Sequence, residues 1–117
     1  MAEGKLTFPD GIAYEGELVD GKPHGKGKLT YPGGGVHEGD FVYGKIQGKG
    51  KFTSSGGIVY EGDWVDGWPD GKGKRTYNGI VEEGDFVHGK MHGKGKKTYP
   101  DGKVEEGNWK DGEFVGK

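Results

Sequence analysis

The 117-residue sequence has no cysteine, no long apolar run and little excess charge of either sign. The absence of cysteine excludes disulfides, thiol nucleophiles and cysteine-ligated metals. No apolar segment reaches the length of a membrane-spanning helix or a signal peptide. With 17 basic and 19 acidic residues, the chain has no overall positive field to hold nucleic acid. We therefore expect a cytoplasmic protein that does not bind nucleic acid.

Apolar residues are also scarce, at 29% of the chain, whereas glycine accounts for 28 residues. A two-layer domain with a large buried core is difficult to build from this composition. Glycine at this level often accompanies disorder. The aromatic residues, 12% of the chain, are regularly spaced and favour an ordered structure with a thin apolar surface.

The sequence repeats itself about every 23 residues. The clearest unit begins with the run YEGDW at 60–64 and ends with GKGK at 71–74. A half repeat at 1–13 precedes full repeats at 14–36, 37–59, 60–81 and 82–104, and a half repeat at 105–117 follows. A linear array of this kind presents an extended surface and not one enclosed pocket.

Each repeat has two short runs in which apolar or glycine residues alternate with charged ones, the period of a half-buried strand. Residues 20–25 and 32–34 have turn composition, and no stretch has helical periodicity. The sequence thus predicts an all-β fold, a single-layer twisted antiparallel meander of about ten short strands with no helices. At about 4.8 Å per strand, the sheet would be nearly 50 Å across.

Alternation assigns the side chains to two faces. Tyr14, Gly16 and Leu18 and their counterparts share one face, where the glycines leave bare backbone on which a neighbouring ring can lie. Aromatic packing would then replace a second layer. Glu15 and its copies lie on the other face, opposite Lys28 and its copies. Such acid–lysine pairs contribute about 0.2–1 kcal/mol each and help to fix the register.

The recurring YEGDW run and the GK-x-x-GKG segments at 21–27 and 89–95 resemble the MORN repeat over essentially the whole chain. The resemblance implies an elongated, twisted single-layer sheet with an aromatic groove. Similar repeats occur in junctophilins, plant phosphatidylinositol phosphate kinases, radial spoke head proteins and apicomplexan cytoskeletal proteins. The roles it implies are scaffolding, dimerisation, binding of a peptide or partner helix and, as an alternative, lipid binding.

Five substitutions depart from the repeat pattern, and two of them, Gln47 and Asp70, replace the turn histidine. Glu82 and Glu105 replace the leading aromatic residue, so we expect the groove to become less apolar towards the carboxyl end. Trp68 replaces a lysine that follows the turn in other repeats.

Catalytic and metal-binding interpretations have little support. The run 39–45 has the spacing of a phosphate-binding loop, but Ile46 stands where that loop needs Ser or Thr, and strands flank it. His24 and His92 occupy equivalent positions about 29 Å apart, too far to share a metal ion. We therefore predict no enzyme activity, no cofactor and no metal.

Two surfaces are candidates for partner binding. The first is the groove, where the rings could contact a ligand or simply hold the sheet together: Tyr14, Phe41, Tyr60, Trp64, Tyr77, Phe86, Tyr99 and Trp109. The second is a row of apolar residues that we expect at the turn tips, exposed or folded back over the groove: Pro23, Ile46, Pro69, Met91 and Phe114, beside Trp68.

The favoured function is a non-catalytic scaffold that binds protein segments, a peptide or a helix, or a second copy of itself. By the resemblance alone, it would act in a cytoskeletal or ciliary assembly. The alternative is binding to phosphoinositide membranes through lysines near the turns, whose charge Asp20, Asp66 and Asp70 would oppose. Those lysines are Lys22, Lys26, Lys45, Lys49, Lys72, Lys90 and Lys94.

Overall fold

All strands of the protein belong to one antiparallel sheet in a computed structural model that describes residues 2–117. Each strand pairs with the next along the chain, and this part of the chain contains no helix. The predicted all-β single-layer meander is confirmed, with eleven strands where about ten were expected. They are β1 (Ala2–Thr7), β2 (Ala13–Val19), β3 (Lys22–Thr30), β4 (Val36–Val42), β5 (Lys45–Thr53), β6 (Val59–Val65), β7 (Trp68–Tyr77), β8 (Ile80–Val87), β9 (Lys90–Thr98), β10 (Val104–Lys110) and β11 (Glu113–Gly116).

Two-residue turns join the strands within each repeat. In the turn between β2 and β3, Asp20 and Gly21 have φ values of 52° and 75°. Positive φ at both residues defines a type I′ turn, which matches the twist of the paired strands and favours Asp-Gly. The next strand begins directly at Lys22. The long turn predicted over 20–25 is therefore wrong, because residues 22–25 belong to β3.

A bulge follows each turn. Gly16 pairs with Gly27 and Leu18 with Pro23, so Glu17 alone faces the three residues between Pro23 and Gly27. The Glu17 carboxylate accepts the Lys26 backbone N–H at 2.6 Å and so satisfies a donor that the ladder leaves free. Asp40, Asp63 and Asp85 accept the N–H groups of Lys49, Lys72 and Lys94 in the same way.

Glycines form a continuous row across the sheet. A methyl group at Gly27 would lie 2.1 Å from the Tyr14 hydroxyl, and one at Gly73 would lie 2.0 Å from the Tyr60 hydroxyl. Only glycine therefore leaves room for these rings, as the sequence predicted. Ten glycines face one another in register: Gly4, Gly16, Gly27, Gly39, Gly50, Gly62, Gly73, Gly84, Gly95 and Gly107.

The core is a chain of rings packed edge to face on this glycine row. Neighbouring ring centroids are 4.6–5.8 Å apart, and the ring planes are nearly perpendicular. This arrangement stabilises a pair of rings by about 0.5–1.5 kcal/mol beyond the burial of area. The rings follow one another in the order Tyr14, Phe41, His37, Trp64, Tyr60 and Phe86.

The opposite face carries charges of alternating sign. Glu38, for example, lies between Lys28 and Lys51 on the neighbouring strands. This confirms the predicted cross-strand pairs. The row consists of Lys5, Glu15, Lys28, Glu38, Lys51, Glu61, Lys74, Glu83, Lys96 and Glu106.

From the second full repeat onwards, the two-residue turn within each repeat rests on the preceding repeat. The Gly44 N–H donates to the Pro23 carbonyl at 2.8 Å, and the Gly112 N–H donates to the Met91 carbonyl at 2.9 Å. His24 and His92 accept the N–H groups of Tyr43 and Asp111 through Nδ1. These histidines therefore hold the next turn in place, a role that follows only from contacts between repeats.

Candidate interaction groove

The aromatic face holds an apolar cleft over β4 to β7, which we call the central cleft. Its volume is about 560 Å³. The rings of Trp64 and Tyr60 contribute to its floor, whereas the rim comes from neighbouring loops and strands. The rim includes Tyr31, Ile46, Phe52, Ile58, Trp68 and Pro69.

Two rim residues present much of their apolar surface to solvent. Trp68 is 54% exposed and Ile58 is 42% exposed. Phe52 and Tyr31 are half-buried, with ring centroids 6.0 Å apart in an edge-to-face arrangement. A ligand in the central cleft would therefore meet aromatic rings that are already held in place.

A second cleft of about 670 Å³, the amino-terminal cleft, lies beside the first. Leu6, Phe8, Ile12 and Leu29 line it, together with Tyr43. Phe8 is 37% exposed and Tyr43 is 57% exposed. The two clefts together make an apolar groove that extends from β1 to β7.

The surface of the groove changes from apolar to charged at β7, where Arg75 lies in the wall of the central cleft. Its Nε and Nη2 atoms lie 2.7 and 2.6 Å from the same oxygen of Glu82, and its Nη1 donates to the Gly89 carbonyl at 2.8 Å. The guanidinium also lies 5.6 Å from the ring centres of Tyr77 and Phe86. Glu82 is only 2% exposed, so this pair replaces an aromatic contact with a buried ion pair.

The charged character continues towards β10. The Lys97 ammonium lies 3.9 Å from the second Glu82 oxygen and 5.2 Å from the centre of the Tyr99 ring. The Tyr99 hydroxyl donates to Glu105 at 2.5 Å, and this hydrogen bond raises the pKa of Tyr99. The surface around Glu82 and Glu105 is thus polar, as the sequence predicted for the carboxyl end of the groove.

Two buried residues beneath the central cleft, His37 and Tyr60, have side-chain polar atoms without a hydrogen-bond partner within residues 2–117. His37 is 0% exposed, neither ring nitrogen has a hydrogen bond, and burial lowers its pKa to about 4. Its ring packs edge to face on Trp64 at 4.6 Å, so His37 acts here as a neutral aromatic residue. Burial likewise raises the pKa of Tyr60 to about 12.

Most of the predicted groove residues form the floor and not the exposed lining. Two of them, Tyr77 and Tyr99, are half-buried. The others are at most 6% exposed: Tyr14, Phe41, Tyr60, Trp64, Phe86 and Trp109. These side chains therefore pack in the core, and their contact with a partner stays a prediction.

Of the two alternatives for the apolar residues expected at the turn tips, the structure shows the folded-back one and not the exposed row. Met91 is 0% exposed and Pro23 is buried, while Ile46, Pro69 and Phe114 are half-buried. These residues belong to strands and stand opposite residues of the aromatic face, as Ile46 does opposite Phe41 and Met91 opposite Phe86, so they fold against the core. Trp68, by contrast, is 54% exposed.

The predicted turn lysines also lie in strands. Lys26, Lys49 and Lys72 form ion pairs with Asp40, Asp63 and Asp85 on the next strand. Lys45 lies 3.9 Å from Asp66. Pairing offsets the positive charge locally and weakens the attraction that an anionic lipid surface would exert.

Four residues of the site were missed as candidates from the sequence. Tyr31 and Phe52 belonged to the predicted aromatic face but were not ranked as contacts. Ile58 follows a Ser-Gly loop and had no periodic signal. Arg75 stands opposite Glu82 in the register. A basic and an acidic residue together replace an apolar pair, and this joint replacement is the sequence signal that could have identified Arg75.

Two kinds of site are not formed by residues 2–117. No three His, Asp or Glu side chains come together in a geometry that could hold a metal ion. The described chain also offers no helix of the length and apolarity required to cross a membrane.

The repeats match a known family. The MORN repeat matches residues 14–36, 37–59, 60–79, 83–104 and 106–117, which together cover most of the chain. The chain belongs to the MORN-repeat family. MORN repeats are in general non-catalytic modules that interact with proteins or membranes. A comparison with curated proteins gives no match to this chain.

Proposed function

We propose that this MORN-repeat chain is a non-catalytic scaffold whose groove binds a segment of a protein partner. The observation that supports the proposal is the open apolar rim of the central cleft, where Trp68 and Ile58 are 54% and 42% exposed. Contiguous apolar surface of this kind is typical of interaction sites. Exposed tryptophan is also a common anchor at interfaces.

The sheet limits how a partner can be held. Backbone N–H and C=O groups of the inner strands are paired within the sheet plane, so the groove face cannot bind a partner by adding a strand. Side chains must supply the contacts. From β1 to β7 the groove is about 29 Å wide, enough for about 19 residues of a helix lying across the strands.

A matched pair of variants tests the proposal. Ile58→Glu places a charge on the rim of the central cleft, whereas Val87→Glu places it at a site outside the cleft that is also 42% exposed. Peptides would be selected on the wild type from a displayed random library, and their affinities measured by calorimetry. We expect Ile58→Glu to weaken binding about tenfold or more and Val87→Glu to leave it unchanged.

Equal affinities for the two variants would show that the bound peptides do not use the central cleft. A failure of any peptide to bind the wild type specifically would contradict the proposed function itself.

The scaffold could also bind a second copy of the chain. In the sheet of residues 2–117, β1 and β11 each pair on one side only, and open strand edges favour pairing with another chain. Light scattering at several concentrations tests this for the wild type and for Trp68→Ala. A mass that stays monomeric at all concentrations would rule out self-association.

We further propose a cytoskeletal or ciliary setting, which is supported by family membership alone. Imaging of the tagged chain in ciliated cells tests this. A diffuse distribution that is unchanged by Ile58→Glu would contradict it.

A further inference from the structure

Arg75 occupies a position that is apolar in the two full repeats that precede it. The register places it in line with Leu29 and Phe52, each of which stands opposite an aromatic residue of the next strand. Arg75 instead stands opposite Glu82. The groove therefore exchanges an apolar pair for an ion pair at the carboxyl-terminal wall of the central cleft.

The guanidinium has hydrogen-bonding capacity left over. Arginine carries five N–H donors. Nε and Nη2 bond to one oxygen of Glu82, and Nη1 bonds to the Gly89 carbonyl, which accounts for three of them. The other two N–H groups, one on each terminal nitrogen, have no acceptor among the described residues. Since the Arg75 side chain is 28% exposed and lines the cleft, a ligand can reach them.

The charged side chains on this part of the groove face alternate in sign along the register, in the order Arg75, Glu82, Lys97 and Glu105. Glu82 is the carboxylate near Arg75, and it is shared with Lys97 at 3.9 Å. Glu105, the next acid in the row, is bonded to the Tyr99 hydroxyl and forms no ion pair with Arg75. Of the two cations in this row, Arg75 is the one that lines the central cleft, and its two free N–H groups are where a carboxylate of a bound segment could be held.

We propose that Arg75 binds a carboxylate of the segment held in the groove, so that the groove selects apolar residues followed by a negative charge. The planar guanidinium suits carboxylate oxygens better than other acceptors do, because its terminal N–H groups form a fork. The carboxylate comes from an Asp or Glu side chain or from the carboxyl terminus of the partner. This inference rests on the proposed function, since it names the ligand chemistry of the same cleft.

The chain itself supplies a variant that removes the charge and keeps the packing. Arg75→Phe combined with Glu82→Tyr reproduces the pair that Phe52 and Tyr60 form between β5 and β6. The double variant removes both members of the buried ion pair together. Lys74→Ala is the control, because Lys74 lies on the same strand but in the charged row of the opposite face.

Random peptides displayed with a free carboxyl terminus would be selected separately on the wild type, the double variant and Lys74→Ala. We expect apolar peptides from all three, with a carboxylate next to the apolar residues enriched only on the wild type and the control. Synthetic versions then separate the two sources of the carboxylate. Replacing Asp or Glu by the amide, or amidating the carboxyl terminus, should weaken binding to the wild type about tenfold and leave binding to the double variant unchanged.

Enrichment of the same sequences on the wild type and the double variant would overturn the role of Arg75 but leave the groove as the binding site. Equal affinity of carboxylate and amide peptides for the wild type would overturn it as well. Selection of no peptide by any of the three proteins would overturn the proposed function and this inference together.

Discussion

Burial of His37 in the core disfavours the protonated form of its side chain. His37 occupies the position of Tyr14 and Tyr60 in neighbouring repeats, but its buried ring nitrogens have no partner among residues 2–117. Burial lowers its pKa from 6.5 to about 4, so between these values the unfolded chain binds a proton that the folded chain does not. Stability therefore falls as the pH drops through this window and levels off below it.

We expect the fall to amount to about 3 kcal/mol between pH 7 and pH 4. Urea unfolding at several pH values measures it, and His37→Tyr, which copies its neighbours, should remove this contribution. The same pH dependence in His37→Tyr as in the wild type would show that other groups cause it.

A substitution at Gly73 tests whether the rings need bare backbone beneath them. Gly73 does not have a positive φ, so a side chain there adds no backbone strain. A methyl group there would lie 2.0 Å from the Tyr60 hydroxyl, whereas nothing lies within 4 Å of a methyl group at Gly33. We expect Gly73→Ala to lower the free energy of unfolding by about 1–3 kcal/mol, because the Tyr60 ring must move. Gly33→Ala should change it little. Equal urea midpoints for both variants would contradict the idea that the glycine row makes room for the rings.

The sequence placed Tyr14 and Trp64 on the correct face because alternation is a local property. It could not show that Met91 is buried while Trp68 is exposed. Trp68 is the first residue of its strand and Met91 is the second, and how far each is buried depends on how the strand beside the bulge directs its side chain. That outcome is decided by contacts with the neighbouring repeat.

At the scale of elements, β7 and β8 are joined by an ion pair where other strands have apolar contacts. Removing Arg75 alone would leave the Glu82 charge buried, which costs about 3–5 kcal/mol. We expect Arg75→Leu to be strongly destabilising, whereas Arg75→Phe combined with Glu82→Tyr, which restores an apolar pair, should be neutral or stabilising. A double-mutant cycle by urea unfolding measures the coupling, and additive effects would contradict it.

Each bulge depends on a carboxylate that accepts a backbone N–H, whereas alternation alone would place this side chain simply among the charged residues of the opposite face. Asp63 accepts the Lys72 N–H and pairs with Lys49, and its hydrogen bond to Lys49 contributes most to lowering the pKa of Asp63. Its contribution to stability is therefore present at neutral pH and is lost as the pH falls through its lowered pKa.

We expect Asp63→Ala to cost about 1 kcal/mol at neutral pH, because the N–H of the bulge loses its acceptor. Glu61→Ala is the control, since Glu61 lies on the same strand and face but is paired across the sheet with lysines only. A larger loss for Glu61→Ala would show that the charge row matters more than the bulge.

Strand order, face and register could be predicted from the alternation of residues and the acid–lysine pairs. The bulges could not, because they depend on a side chain of one strand bonding to the backbone of the next. The length of the turns was overestimated for the same reason. Glycine and histidine after Lys22 suggested a loop, yet both belong to the bulged strand.

For the whole molecule, the sheet is an array in which each strand contacts its sequence neighbours. Its longest dimension is 48 Å, close to the value that the strand count predicts. Stability in such arrays grows with the number of repeats. A second copy of residues 37–59 inserted after Val59 should lengthen the molecule by about 10 Å and raise the urea midpoint.

Small-angle scattering and urea unfolding test this together. An unchanged maximum dimension, or a lower midpoint, would show that the repeats do not add independently.

The repeat period was sufficient to predict the array and its width. It did not reveal the position of the open cleft or the change from apolar to charged surface at Arg75. Those features arise where single repeats depart from the common pattern, and their effect depends on which side chains meet across three or four strands.

The meander also determines how the protein would respond to mechanical force. Because β1 and β11 lie at opposite edges, tension between the two ends pulls across the strands and not along them. Each hairpin is then loaded so that its hydrogen bonds break one after another and not all at once. The chain should therefore lengthen by peeling one strand at a time from either edge, and shorten again as each strand finds its neighbour.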